Sequence, residues 1–246
     1  MSDSLKTAVV TGASRGFGRA IAAALAATGA CVVGIARDER ELRAVRDELG
    51  EGFTGVAADA TDEGLAQRVI REHRPDLLVL NAGATPHMAP LHEQTWETFS
   101  RHWHTDTRHA FAWIRAALRE PLAPGSVVVA MSSGAVLGGS PLSGGYASAK
   151  AAIRYLRGYA ADESERAGLN IRFHTLLPQL TPLGGVGTVG VAGYAARQGV
   201  DQDTFVEGLR PILTPEQVAK AVVEIAMDAG GAPEYLVSGA GLSLVS

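Results

Sequence analysis

Tyr146 and Lys150 have the residue types and the spacing to do chemistry together. They lie in a stretch of helical period, residues 146–166, where a four-residue separation puts both side chains on one face. A free phenol ionises near pH 10 and is a poor base at neutral pH. A neighbouring ammonium favours the phenolate. Bringing a phenol down to neutral pH takes about 4 kcal/mol of differential stabilisation, which a low local dielectric supplies. A phenol so placed gives a proton to, or takes one from, an oxygen whose bonding is changing. In isolation, a packed core tyrosine and a solvated helix lysine are the simpler account of the two residues.

A second constellation is Thr11-Gly12-Ala13-Ser14-Arg15-Gly16-Phe17-Gly18, which follows an apolar run and opens an alanine-rich helix. Glycines there let the backbone turn tightly and lie against a pyrophosphate, and the helix N-terminus offers free N–H groups and partial positive charge. The spacing is Gly-x-x-x-Gly-x-Gly and not the generic Gly-x-Gly-x-x-Gly, and a plain glycine-rich turn is the competing account. Five of the seven histidines, His87, His92, His102, His104 and His109, form a third group. Asp106 lies between His102 and His109 on one helical face. Their types would suit a metal, but the expectation is no metal site and a helix side that faces solvent or another subunit. Trp96, Trp103 and Trp113 are expected to serve packing or an oligomer contact.

Short apolar runs at residues 8–10, 31–36, 52–57, 77–80, 126–131, 170–176 and 235–237 read as strands, mostly apolar throughout, as in a sheet covered on both faces. Between them, residues 18–27, 39–49, 62–73, 96–118, 146–166 and 215–228 are long enough for crossover helices. This alternation predicts an α/β fold: a doubly wound, Rossmann-like parallel sheet with helices on both faces and right-handed crossovers. Without a linker or repeat, residues 1–246 read as one domain. Residues 178–199, rich in Gly, Pro and Thr, read as a long functional loop, part of an expected substrate lid over 178–210.

Composition excludes several classes. Lys plus Arg is 22 against 26 Asp plus Glu, a formal charge of −4, where a nucleic-acid binder carries a basic excess. The single cysteine, Cys31, forms no internal disulfide and suits a reducing compartment. No apolar run reaches membrane-spanning length, and residues 1–6 are too polar to begin a signal peptide. A cytoplasmic protein is expected.

Taken together, Thr-Gly-x-x-x-Gly-x-Gly, Asn81-Ala82-Gly83 after the fourth strand and Tyr146-x-x-x-Lys150 after the fifth resemble the short-chain dehydrogenase/reductase family, in its single-domain form, from about Lys6 onward. The resemblance implies an oxidoreductase that interconverts a carbonyl and a secondary alcohol by hydride transfer. Tyr146 would be its acid/base, Lys150 the activator and ribose anchor, and Ser133 the clamp on the substrate oxygen, with Ser132 a competitor for that place. The family's usual helix asparagine is replaced here by Asp106, which accepts the same hydrogen bonds but has no amide N–H. Asp106 is read as a substitute proton-relay member, with a slipped register or a weakened enzyme as alternatives.

The same resemblance implies a nicotinamide cofactor held by Gly12, Ser14, Arg15, Gly16, Phe17, Gly18, Arg37, Asp59, Ala60, Asn81, Ala82, Gly83, Tyr146, Lys150, Pro178 and Thr181. Ala36 stands where an acidic residue would bind a ribose 2′-hydroxyl, Arg37 follows it, and Arg15 adds a second cation. Two guanidinium groups suit a 2′-phosphate, so NADP(H) is expected over NAD(H). Solvated loop charges, with Asp38 partly cancelling Arg37, are the competing account. Asp59 would hold the adenine amino group or serve only as a turn or cap aspartate. Pro178-Gln179 departs from the family's Pro-Gly, Thr181 is assigned to the carboxamide, and Ala135, Val136, Leu137, Leu142 and Tyr194 are candidate pocket residues. A homotetramer or dimer is expected. The different-class alternative is an NADP-sensing regulator without turnover; a third keeps the fold but acts on a C=N or C=C bond.

Overall fold

The structure is a computed structural model that describes residues 5–245; most of the polar opening stretch, residues 1–4, lies outside them. One sheet organises the chain. Its strands are β1 (Thr7–Thr11), β2 (Cys31–Ala36), β3 (Phe53–Ala57), β4 (Leu77–Leu80), β5 (Val127–Met131), β6 (Arg172–Pro178), β7 (Glu234–Ser238) and β8 (Gly241–Leu244). They lie in the order β3-β2-β1-β4-β5-β6-β7-β8, parallel except for the antiparallel β8 edge. The order reverses between β1 and β4. Ligands of such sheets bind outside the strand C-termini at that switch point.

Each face of the sheet carries its own core. Ala8, Val10, Val79 and Val129 pack on one side under α1 (Gly16–Ala27), α2 (Glu39–Leu49) and a helix over residues 215–227. Val9, Leu78, Leu80 and Val128 pack on the other under α3 (Glu63–His73) and helices over 108–119 and 144–166. The alternation along β1 is the two-residue period of a strand, and burial of both faces explains why these runs have no polar positions. Asp38 and Asp62 cap α2 and α3 by accepting backbone N–H groups. Arg15, at the same position of α1, makes no side-chain cap, so the α1 N-terminus has no protein acceptor there.

Three elements differ from the expectation. Residues 96–118 are not one helix: α4 (Trp96–His102) passes through a π-helical turn, Trp103–Thr107, into α5 (Arg108–Arg119). The extra residue of a π turn turns a side chain inward, and here that side chain is Asp106. Beyond α6 (Ala135–Gly138) and α7 (Gly144–Arg166), the expected long loop at 178–199 is instead largely α8 (Gly185–Gln198), followed by α9 (Gln202–Glu207) and α10 (Pro215–Met227). Its glycines lower helix propensity and hid it. Close packing needs them: a Cβ at Gly187 would overlap Thr181 O, and one at Gly193 would lie 3.0 Å from Met88 Cε. Strand β8 was not foreseen at all; its short, half-exposed Gly241–Leu244 run has little signal.

Candidate active site

One cleft of about 1680 Å³ runs along the C-terminal ends of the strands, from Ser14 and Arg15 past Asn81–Gly83 to Tyr146, Lys150 and α8. Thr11 braces its floor. Its Oγ1 donates to Val79 O (3.2 Å) and accepts from the N–H groups of Asn81 (2.9 Å) and Ala82 (3.1 Å). Asn81 Nδ2 donates in turn to Thr11 O (3.0 Å) and Gly12 O (3.2 Å). Gly12 has φ +68° and Gly18 lies so close to Gly12 O that a Cβ would overlap it. The first glycine stretch is therefore a tight backbone cradle at an uncapped helix start. Those residues fit a dinucleotide pyrophosphate.

At the mouth, Arg15 and Arg37 are exposed, line the cleft and make no ion pair among the described residues. Asp38 is committed to α2: its Oδ1 accepts from Arg40 N and Glu41 N, and those bonds hold its carboxyl below the usual range. Ser14 Oγ donates to Glu41 Oε2 at 2.7 Å, which brings a carboxylate to the same rim. Asp59 Oδ1 accepts both Thr61 N–H and Thr61 Oγ1, each at 2.8 Å, so the turn role is present, and its carboxylate still lines the cleft. Ala60 lines it too, and its carbonyl accepts Trp113 Nε1–H (2.8 Å).

Deeper in, the two serines separate. Ser132 Oγ donates to Lys150 O (2.9 Å), turning into α7, whereas Ser133 Oγ accepts from Ala135 N (3.2 Å) and keeps its own proton for another acceptor. Lys150 Nζ is buried. It donates to Met131 O (3.1 Å), lies 3.2 Å from Asp106 Oδ2 and sits 5.6 Å from the centre of the Tyr146 ring. Burial alone would lower the Lys150 pKa, but Asp106 and Tyr146 outweigh it and hold the ammonium on. Asp106 is fully buried; burial would raise its pKa, yet Lys150 and His102 hold the carboxylate ionised, well below the usual range.

His102 and His109 are buried, 2% exposed, whereas Trp103, His104, Arg108 and Phe111 on the same helical run are exposed and form the side expected to face solvent or another subunit. Among the described residues no three His, Cys, Asp or Glu side chains converge as metal ligands. Trp113 is buried, while Trp96 and Trp103 are exposed. Of the proposed pocket residues Ala135, Leu137 and Tyr194 line the cleft; Val136 and Leu142 do not. Pro178 and Thr181 also line it, though the Thr181 hydroxyl donates to Leu213 O (2.6 Å), leaving only acceptor capacity for a ligand. Sequence reasoning missed Glu41, the hydroxyl chain Ser143–Ser140–Tyr194 (2.6 and 2.5 Å) and the contact between His102 and Tyr146. Only the last had a signal, since His102 and Asp106 are four apart as Tyr146 and Lys150 are.

His109 has a consequence for acid stability. Burial first, and then the charge of Lys150, push its pKa down to about 4, against about 6.5 in an unfolded chain. Between those values the unfolded chain takes up a proton that the folded one refuses, so stability falls on acidification from about pH 6.5 towards 4. The loss is about 2 kcal/mol by pH 5. His109→Gln is expected to flatten the decline of melting temperature between pH 7 and 5. His174, whose pKa burial also lowers, is common to both proteins and cancels. Parallel declines would show that His109 is not the refused site.

Comparison with known proteins bears on the fold and the family. A family model described as short chain dehydrogenase matches residues 6–184. The cis-4-hydroxycyclohexanecarboxylate dehydrogenase of Sinomonas cyclohexanicum is 36% identical over 238 residues, 91% of this chain and 90% of that protein. The 3-oxoacyl-(acyl-carrier-protein) reductase of Escherichia coli (strain K12) is 46% identical over 85 residues, 32% of this chain and only 35% of that protein. The crystal structure of 3-ketoacyl-(acyl-carrier-protein) reductase from Brucella melitensis complexed with NADH shares the fold, with TM-score 0.79, 22% identity and coverage of 95% and 97% of the two chains. The chain belongs to the short-chain dehydrogenase/reductase family. It is an oxidoreductase of nicotinamide-dependent type acting on small molecules, and none of its described helices is long and apolar enough to cross a membrane.

Proposed function

We propose that this chain is an NADP(H)-dependent oxidoreductase that interconverts a carbonyl and a secondary alcohol, with Tyr146 as acid/base. The observation that carries it is the buried Lys150 ammonium, held between Asp106 and the Tyr146 ring on the wall of a cleft that begins at the uncapped α1 helix. A reduced nicotinamide, when bound, would supply the hydride that the carbonyl carbon takes up. Tyr146 transfers its phenolic proton to the carbonyl oxygen, the free Ser133 hydroxyl hydrogen-bonds to that oxygen and keeps its proton, and Lys150 offsets the charge left on the phenol. Gly12, Gly16, Phe17 and Gly18 would hold the pyrophosphate, Asp59, Ala60, Asn81, Ala82 and Gly83 the adenosine, and Pro178 and Thr181 the nicotinamide end. Residues 178–210, with α8 and α9, close the substrate end and limit water there. The exposed Trp96 beside Phe99 supports an oligomer, and the lone thiol of Cys31 a cytoplasmic setting.

Arg15 and Arg37 support NADP(H), as two unpaired guanidinium groups for a 2′-phosphate. The Glu41 carboxylate beside Ser14 supports the second reading, NAD(H), because it repels a phosphate and accepts from a hydroxyl. Oxidation of NADPH and of NADH, followed by absorbance with a panel of ketones, aldehydes, imines and enones, separates the two and tests the bond reduced. Binding without turnover on every class would favour the sensing regulator. Charge-assisted hydrogen bonds are worth about 1.5–3 kcal/mol each. Replacing both Arg15 and Arg37 by Ala is therefore expected to raise the NADPH KM at least about 100-fold and to leave the NADH KM within about twofold. An unchanged NADPH KM removes the 2′-phosphate assignment.

A further inference from the structure

Two pairs of side chains, each four residues apart, face one another across adjacent elements: His102 and Asp106 at the end of α4 and in the π turn, Tyr146 and Lys150 on α7. They close a ring. Tyr146 lies under Lys150 (5.6 Å from Nζ to the ring centre), Lys150 lies on Asp106 Oδ2 (3.2 Å), and Asp106 Oδ1 lies on His102 Nδ1 (3.3 Å). The His102 ring then meets Tyr146 edge-on, with centroids 5.3 Å apart and planes at 81°.

The carboxylate is divided between its two neighbours. Oδ1 accepts from Ala84 N–H (2.9 Å), Thr105 Oγ1 (2.8 Å) and His102 Nδ1, while Oδ2 faces the ammonium. Rotating the carboxylate away from Lys150 would break all three Oδ1 bonds at once. Ala84 N–H holds Asp106 alone, and Thr105 Oγ1 divides its proton between Asp106 and Arg101 O (3.0 Å). His102, of the three donors, also touches the phenol ring that exchanges the proton.

We infer that His102 is a positioning residue for the reaction: through Nδ1 it fixes Asp106, and so Lys150, and with its ring edge it fixes Tyr146. The inference rests on the reading of Tyr146 as acid/base. Its signature is a loss in kcat with little change in KM, because His102 does not line the cleft. A side chain acting through Asp106 must also lose its effect once Asp106 is altered, whereas a purely packing role adds independently.

The test is a double-mutant cycle. His102→Leu keeps bulk without a donor, and His102→Asn places an amide near the Nδ1 position. His102→Leu is expected to lower kcat at least about 10-fold, with the KM for NADPH and for the carbonyl within about threefold. His102→Asn should recover most of the rate. In an Asp106→Leu background, which offers Nδ1 no acceptor, the His102→Leu effect should shrink to what the ring edge alone carries, below about threefold. Should His102→Leu not fold, as judged by thermal melting and NADPH binding, His102→Gln replaces it: its amide lies near Nε2 and should not recover the rate. A kcat within about twofold of wild type, equal losses in Asn and Gln (or Leu) variants, or equal losses in both Asp106 backgrounds each overturn the inference. If Tyr146→Phe abolishes turnover while the His102 effects simply add, the inference fails alone. If Tyr146→Phe keeps turnover, or wild type reduces none of the panel, the reading beneath it fails and takes the inference with it.

Discussion

Tyr146→Phe is expected to lower kcat by about 10²–10⁴-fold, the usual share of a positioned general acid, and to leave NADPH affinity within about threefold. The variant is informative because so little else changes. Phenylalanine keeps the ring that lies 5.3 Å edge-on to His102 and 5.6 Å beneath the Lys150 ammonium. Its packing between α4 and α7 therefore persists, and the residue loses only the O–H. With the proton donor gone, hydride arrival at the carbonyl carbon leaves an alkoxide that only Ser133 can bond and that no group is placed to protonate. The barrier should rise by about 3–5 kcal/mol. Single-turnover oxidation of bound NADPH reads this step directly, free of product release. Full turnover in Tyr146→Phe would remove the phenol from the chemistry and leave the cleft as a binding site.

Much of this arrangement was legible in the residue order. The apolar runs around Val9, Val33, Leu78 and Val128 have no polar positions because both sheet faces are covered, and that property belongs to the sequence itself. The first glycine stretch was legible for the same reason: Gly12 and Gly18 stand where a Cβ has no room. What was not legible depends on tertiary contact. Glycines at 185, 187, 190 and 193 carry a loop's propensity, and only the folded structure shows that Thr181, Leu180 and Met88 crowd the helix at 187, 190 and 193 and call for glycine there. The π turn has no compositional mark, yet it decides that Asp106 points at Lys150 and not into solvent. His102 shared a face with Asp106 on paper. That the face was buried against α7 required the sheet order that sets α4 and α5 beside it.

Removing the Asp106 carboxylate is the largest stability effect this site should show. Asp106→Leu fills most of the same space but leaves the buried Lys150 ammonium with Met131 O alone, leaves Ala84 N–H without its acceptor, and turns the Thr105 hydroxyl to Arg101 O. Breaking one side of a buried ion pair costs about 3–5 kcal/mol, readable as a shift in the urea midpoint at unchanged slope. Asp106→Asn keeps an acceptor for those donors and should lose only about 1–2 kcal/mol. The pH dependence separates a lost charge from lost packing. In the wild type Asp106 holds the Lys150 proton on, so the ammonium stays paired through the alkaline range. In Asp106→Leu burial, the largest influence on Lys150, is opposed by Tyr146 alone and drives the Lys150 pKa down, while the unfolded chain still titrates near pH 10.4. Between the two values the unfolded variant binds the extra proton, so variant stability rises with pH. The gap to wild type should therefore narrow between pH 7 and 9.5. A gap that stays constant over that range would mean that the Leu variant suffers from packing, and that the ammonium had found another partner.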